Sequence, residues 1–294
     1  MTVIRSKTRI VLSRAARLRL PPKKRRAAIQ NAKTLTAHRL LYNSGKHAVV
    51  AFIVQPRGSR SLLPCIIWNR GGSDEFGVLN DEHLFSGWLA EFAKSGYLVI
   101  ASQYSGSAGS GGRDQYGGSE VRDILNLYQV LGDTPRADRN RIGMYGASRG
   151  GMMAFLALAR VSWLKALAVK APLTNLIRQL KRRPKLKQLF RRSFGISVSA
   201  LKKRSVVYWV DKLHSGIPVL MQHGTADWRV SVLDTLDLAR ILYERRIPYR
   251  LDIYEGDDHS LTLHDAEARA VTIGWFDRFV KNTKPAPDLK KFGS

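Results

Sequence analysis

Ser148 stands in the stretch RIGMYGASRGG, with Gly146 two residues before it and Gly150 two residues after it. A serine flanked this way, between an apolar run and a helix-forming run, has the pattern of a nucleophile elbow. In that turn the chain passes sharply from strand to helix and pushes the hydroxyl out of the backbone. A Cβ at either flanking position would collide across so sharp a bend, which is why glycine is needed there. A serine hydroxyl becomes a nucleophile when a base takes its proton and an acid orients that base. Further along, in the order serine, acid, histidine, HGTADWRVSV supplies Asp227 and GDDHSL supplies His259. Together these three residue types can attack an ester or amide carbonyl, with the proton carried by the imidazole.

The other titratable residues are weaker choices. Of the seven histidines, His38, His47, His83 and His214 lie outside these stretches and are expected at the surface. His223 ends an apolar run and reads as a hydrogen-bonded structural residue, and His264 borders the last helix. Asp257 and Asp258 adjoin His259, but neighbours in sequence seldom point at each other, so Asp227 is the preferred orienting acid. A tetrahedral oxyanion needs donors as well. The backbone N–H of Arg149, opening the helix after the elbow, is the expected first donor. The second is expected from WNRGGSDEFG, where Gly71 and Gly72 let the chain turn inward and the amide or side chain of Arg70 faces the charge; a plain tight turn is the alternative. No His-x-x-x-His or Cys-x-x-Cys spacing occurs, so neither a metal nor a cofactor is expected.

These residues need a scaffold that brings them to one edge. Short apolar runs at 48–55, 64–69, 97–102, 141–146, 166–171, 218–223 and 249–255 alternate with amphipathic runs at 81–96, 119–132, 231–246 and 265–282. That alternation predicts an α/β fold with a mostly parallel central sheet flanked by helices. Runs apolar throughout, such as Cys65–Trp68, suit strands covered on both faces, and the segment after Ser148 suits a buried helix. The first run, after NSG and ending at Pro56, reads as part of an antiparallel edge hairpin. Ser148, Asp227 and His259 each follow a predicted strand, so the carboxyl edge of the sheet would collect all three.

Charge divides the chain differently. Of 294 residues, 49 are Lys or Arg and 23 are Asp or Glu, for a net charge of +26. Residues 1–40 hold twelve basic residues and no acid, and residues 172–215 hold twelve against Asp211 alone. We therefore expect a basic N-terminal arm at 1–40 with a short helix, and a catalytic domain at 41–284. A basic helical cap would be inserted at 172–215, and a tail would follow at 285–294. The arm and cap are placed to attract nucleic acid or anionic surfaces by field. The one cysteine, Cys65, cannot form an intramolecular disulfide, and no signal-peptide block or bilayer-length apolar run occurs. Those features predict a cytoplasmic protein with no transmembrane segment.

Taken together, NRGGS, SQYSGSAGSGGRDQYGG, RIGMYGASRGGMMAF, HGTADWRVSV and GDDHSL resemble the catalytic domain of the prolyl oligopeptidase family, within the α/β-hydrolases, over about residues 40–282. The resemblance implies a serine hydrolase with Ser148 as nucleophile, Asp227 as orienting acid, His259 as base and Arg149 as an oxyanion amide. Family members often carry a tyrosine just before the paired glycines, where this chain has Arg70, and the long members carry a propeller for which 40 residues leave no room. The expected substrate is a small ester or peptide. A peptidase is the first reading and a carboxylesterase of the same fold the second. A binding protein that keeps the hydrolase fold and holds nucleic acid or an anionic surface is the third.

Overall fold

The computed structural model describes residues 3–289 and divides the chain into two compact units. The first runs to Asp114 and resumes over Arg122–Ile142; the second takes Gln115–Val121 and the chain from Gly143 onward.

The first unit begins with β1 (Ile4–Ile10), α1 (Arg14–Arg19), α2 (Pro22–Thr34) and β2 (Leu35–Ser44). Residues expected as an arm with one short helix thus form a strand, two helices and the start of a second strand. Next come β3 (His47–Pro56), β4 (Leu63–Asn69), α3 (Asp81–Phe85), α4 (Trp88–Lys94), β5 (Leu98–Ser102) and α5 (Val121–Gly132), with β6 (Ala137–Ala147) starting here and ending in the second unit. The strand order is β1-β2-β3-β5-β4. β1, β2, β3 and β5 pair antiparallel in succession, and β4 pairs parallel with β5. β2 and β3 form the expected hairpin, turning at Gly45, whose φ of 61° is one that glycine adopts without strain. Every residue of β4 is buried, as its unbroken apolar run requires. The stretch 81–96, expected as one helix, breaks at Ser86–Gly87. There the Ser86 hydroxyl donates to the Glu82 carbonyl at 3.0 Å and Gly87 is extended, a serine–glycine pair of the kind that interrupts helices.

The second unit contains α6 (Arg149–Leu158), β7 (Leu164–Lys170), α7 (Leu176–Arg182), α8 (Leu186–Ser193), α9 (Val198–Lys202), β8 (Val219–Gly224), α10 (Val232–Glu244), β9 (Tyr249–Tyr254) and α11 (Asp265–Phe276). β7, β8 and β9 are parallel neighbours, with Lys170 opposite Gln222 and Gly224 opposite Tyr254. All ten residues of α6 are buried, in keeping with a sequence apolar nearly all round. Residues 172–215 form α7, α8, α9 and two short 3₁₀ turns, with Pro184 between the first two helices and Gly195, at φ 90°, closing the second. Asn175 caps α7 by accepting from the Arg178 N–H at 3.1 Å. Among the described residues no helix is long and apolar enough to cross a membrane.

Candidate active site

Ser148 follows β6 at φ 56° and ψ −122°, a conformation that a residue with a side chain adopts only under strain. Neighbouring backbone holds it there. Its N–H donates to the Lys170 carbonyl at 2.8 Å, and its own carbonyl accepts from Gly151 at 3.0 Å and from Leu173 at 3.2 Å. The glycines make the turn possible: a Cβ on Gly146 would lie 2.2 Å from the Gly150 carbonyl oxygen, and one on Gly151 would lie 2.7 Å from the Pro172 Cβ. The hydroxyl therefore stands on a rigid bend at the start of a buried helix.

Asp227 lies in the loop after β8 and His259 in the loop after β9. The His259 Nδ1 lies 2.7 Å from the Asp227 Oδ2. The same oxygen meets the His223 Nε2 at 3.0 Å, while the Asp227 Oδ1 accepts from the Arg229 and Val230 N–H groups at 2.8 and 3.0 Å. Burial alone would push this carboxyl up, but hydrogen bonds from His223 and His259 and the amide of Val230 outweigh it and hold the group well below the ordinary carboxylate range. Asp227 is thus a fixed anion. The His259 Nδ1 carries the proton facing it, which leaves Nε2 with a lone pair. Among the described residues neither that nitrogen nor the Ser148 hydroxyl makes a hydrogen bond, and the His259 side chain is 14% exposed. In enzymes without substrate the serine–histidine contact is often long, and it tightens when substrate binds.

His223 is buried on the other side of Asp227. The Thr235 hydroxyl lies 2.7 Å from its Nδ1 and the Val230 carbonyl 3.1 Å from its Nε2, so Nε2 is the donor toward Asp227. His223 is thus hydrogen-bonded, as the sequence suggested, but its partner Asp227 was not named there, although the spacing between them is one a tight turn can close. His264 is occupied elsewhere: its Nδ1 lies 2.9 Å from the Asp257 Oδ2, and its ring packs against Tyr254. Asp257 also accepts the N–H groups of Asp258, Leu263 and His264. Asp258 accepts from Ser260 and Thr262. The two acids beside His259 brace its loop.

The side chain of Arg149, the residue after Ser148, points into the protein. It is 1% exposed, and its Nη2 donates to the Glu120 Oε1 at 3.0 Å, Glu120 being fully buried. The Glu120 carboxylate also accepts from the N–H groups of Gly117 at 2.5 Å and Gly118 at 3.1 Å, and the Arg149 guanidinium stacks over the Tyr116 ring at 4.5 Å. Arg204, from the segment after α9, donates to the carbonyls of Tyr116 and Gln115 and stacks on Phe194 at 3.9 Å. The helix α6 that follows Ser148, the 115–121 turn and the basic insertion are therefore clamped together by two arginines. α5 starts at Val121, just past the expected start, because Glu120 belongs to that turn.

In the first unit the Arg70 guanidinium is buried within its own loop. It donates to the carbonyls of Gln103, Gly71, Phe76 and Asp74 and to the Ser107 hydroxyl, and it stacks over Tyr104. Gly72, at φ 72°, approaches the Phe76 carbonyl so closely that a Cβ would lie 2.1 Å from it. The side chain of Arg70 therefore shapes the turn that carries Gly71.

Residues 84–283 match the model of the prolyl oligopeptidase family of peptidases. The chain belongs to the prolyl oligopeptidase family. Among its relatives in this family, the uncharacterized peptidase YtmA of Bacillus subtilis is 25% identical over 198 residues, 66% of this chain and 74% of that protein. Dipeptidyl-peptidase 5 of Porphyromonas gingivalis is 26% identical over 240 residues, 74% of this chain and 34% of that protein. The acylaminoacyl peptidase of Pyrococcus horikoshii superposes with a TM-score of 0.76 at 19% identity, covering 90% of this chain and 44% of the other. This chain thus spans less than half the length of the last two. The structural likeness shows the fold, the α/β-hydrolase arrangement of mostly parallel strands flanked by helices, that the sequence pattern predicted.

Proposed function

We propose that this prolyl oligopeptidase-family protein is a serine peptidase that cleaves an amide bond through an acyl-enzyme formed on Ser148. The observation that carries the reading is the 2.7 Å contact between His259 and Asp227 in the unit that also holds Ser148 in its strained turn. The Nε2 of His259 takes the Ser148 proton as the oxygen attacks the carbonyl. Asp227 keeps the imidazole in the right tautomer and stabilises the imidazolium that forms. The Arg149 N–H, at the start of α6, donates to the oxyanion, and on the sequence alone Arg70 or Gly71 is the proposed second donor. The proton then passes to the leaving amine, and water repeats the cycle to release the acid.

Labelling with a fluorophosphonate, which phosphonylates activated serines, tests this directly. The parent chain should label and Ser148→Ala should not; a variant that labels as the parent does would move the nucleophile elsewhere. A series of p-nitrophenyl esters and aminoacyl anilides separates an esterase from a peptidase, and hydrolysis of esters alone would replace the peptidase reading with the carboxylesterase one.

One surface favours a second property. A groove of about 950 Å³ in the second unit is lined by Arg160, Lys202, Lys203, Arg204 and Lys212, with Tyr208 and Trp209 beside them and no acid. This basic and aromatic lining suits a nucleic-acid strand or another anionic surface, held by charge and base stacking. Salt-sensitive retention on heparin that persists in Ser148→Ala and falls in a Lys202→Ala, Lys203→Ala variant supports it, and equal retention of that variant removes it.

A further inference from the structure

Lys170 ends β7, and it is bonded both to Ser148 and to the residue after His259. Its carbonyl accepts the Ser148 N–H at 2.8 Å, the bond that closes the elbow. Its Nζ donates to the Ser260 carbonyl at 2.8 Å, and Ser260 directly follows His259. One residue thus holds the nucleophile by its backbone and the base loop by its side chain. The charged groups around the ammonium are Asp265 and Arg269 on α11 and Asp257 and Asp258 in the loop. Lys170 is buried, and burial pushes its ammonium down to about 8. An ammonium out of water destabilises a fold relative to an apolar residue of similar length. Packing therefore does not account for lysine here, whereas a fixed distance between elbow and base loop does.

We propose that Lys170 is a positioning residue that sets the reach of His259 toward Ser148 by anchoring the Ser260 carbonyl. The proposal rests on the serine-hydrolase reading above. The imidazole belongs to an exposed loop, and its ring follows the adjacent peptide; an error of about 1 Å in such a group lowers rates on the order of 100-fold.

The test compares Lys170→Met and Lys170→Arg with the full parent chain. It measures fluorophosphonate labelling rate, kcat and KM on a p-nitrophenyl ester, and their pH profiles. Lys170→Met should lower kcat and labelling about 10- to 100-fold while KM stays within about twofold. Lys170→Arg keeps the charge and a donor, so it should recover most of the rate. It should also lose any decline the parent shows above about pH 8, because arginine does not deprotonate there. An unchanged rate in Lys170→Met overturns the proposal. If Lys170→Met does not fold, Lys170→Arg decides: a parental alkaline decline overturns the proposal, and a flat profile supports it. If the parent itself takes no label, the serine-hydrolase reading fails instead. Backbone NMR relaxation of the His259–Ser260 segment in parent and Lys170→Met then judges the anchor alone: added motion in the variant supports it, and identical relaxation overturns it.

Discussion

Replacing Glu120 with glutamine tests whether the residue after the nucleophile is held by charge. The carboxylate is fully buried, its partner Arg149 is 1% exposed, and the bond between them is 3.0 Å. Glutamine keeps the shape and one acceptor oxygen but removes the negative charge and turns an amino group toward donors. The carboxylate now accepts from Gly117, Gly118 and Arg149, and the amide can serve only some of them. Removing one partner of a buried ion pair leaves the other uncompensated and destabilises by about 3–5 kcal/mol. For a unit of this size that corresponds to a fall in melting temperature of roughly 10 °C. Arg149→Met leaves the carboxylate with its two amide donors and should be milder. Combining the two changes makes the site neutral, so the double variant should be more stable than Glu120→Gln alone, with a coupling of about 2 kcal/mol or more. Urea unfolding of the parent, the two single variants and the double variant measures the cycle. A Glu120→Gln variant within about 1 kcal/mol of the parent, well short of a buried-pair loss, would refute the reasoning. So would a double variant no more stable than that single one.

Two further perturbations probe the site. Gly146→Ala should open the elbow, since its Cβ would lie 2.2 Å from the Gly150 oxygen. Melting should show a loss of at least about 2 kcal/mol, and fluorophosphonate labelling should fall sharply. For Asp227 the sign follows from its lowered folded-state pKa. The stabilisation is fully present above the ordinary value of 3.8 and is lost as pH falls below it toward the folded-state value. The stability gap between the parent and Asp227→Asn should therefore be constant from pH 7 to about 5 and narrow below about 4, the range where unfolded aspartates titrate. A gap that widens in acid would mean that the carboxylate is not the favoured form.

The sequence made β4 and β5 readable because every residue of each is buried and the runs are apolar almost throughout. β1 was missed for the opposite reason: five of its seven residues are exposed, so its alternation of Arg, Lys and Ser looks like a solvated tail. The break between α3 and α4 depends on a serine hydroxyl competing for a backbone carbonyl, which hydrophobic periodicity does not register. Ser148, Asp227 and His259 could be proposed because each follows a strand, and strand ends in a parallel sheet share an edge. The Arg149–Glu120 pair spans 29 positions with no periodic signal between them, and the glutamate reads locally as one more surface residue opening a helix. The same holds for Lys170, which closes an apolar strand and shows its role only when the β9 loop arrives beside it.

The division of labour among the acids around His259 explains why a triad can rest on an exposed loop. A carboxylate orients an imidazole only if its own rotamer is fixed. Asp227 is fixed because its two oxygens meet four donors, two from backbone and one from a histidine locked to Thr235. Apart from His259 itself, those restraints come from β8, α10 and the loop between them, so the angle of the His259 ring is imposed from outside its own loop. Asp257 and Asp258 do not orient the imidazole: their carboxylates accept the loop's own amides, and the His259 Nδ1 faces Asp227 instead. They give the loop a defined shape, and Lys170 fixes where that shape sits. Shape, position and ring angle thus have separate sources. Loss of the Lys170 anchor should then lower turnover while leaving the Asp227–His259 bond intact, and loss of Asp227 should free the ring while leaving the loop in place.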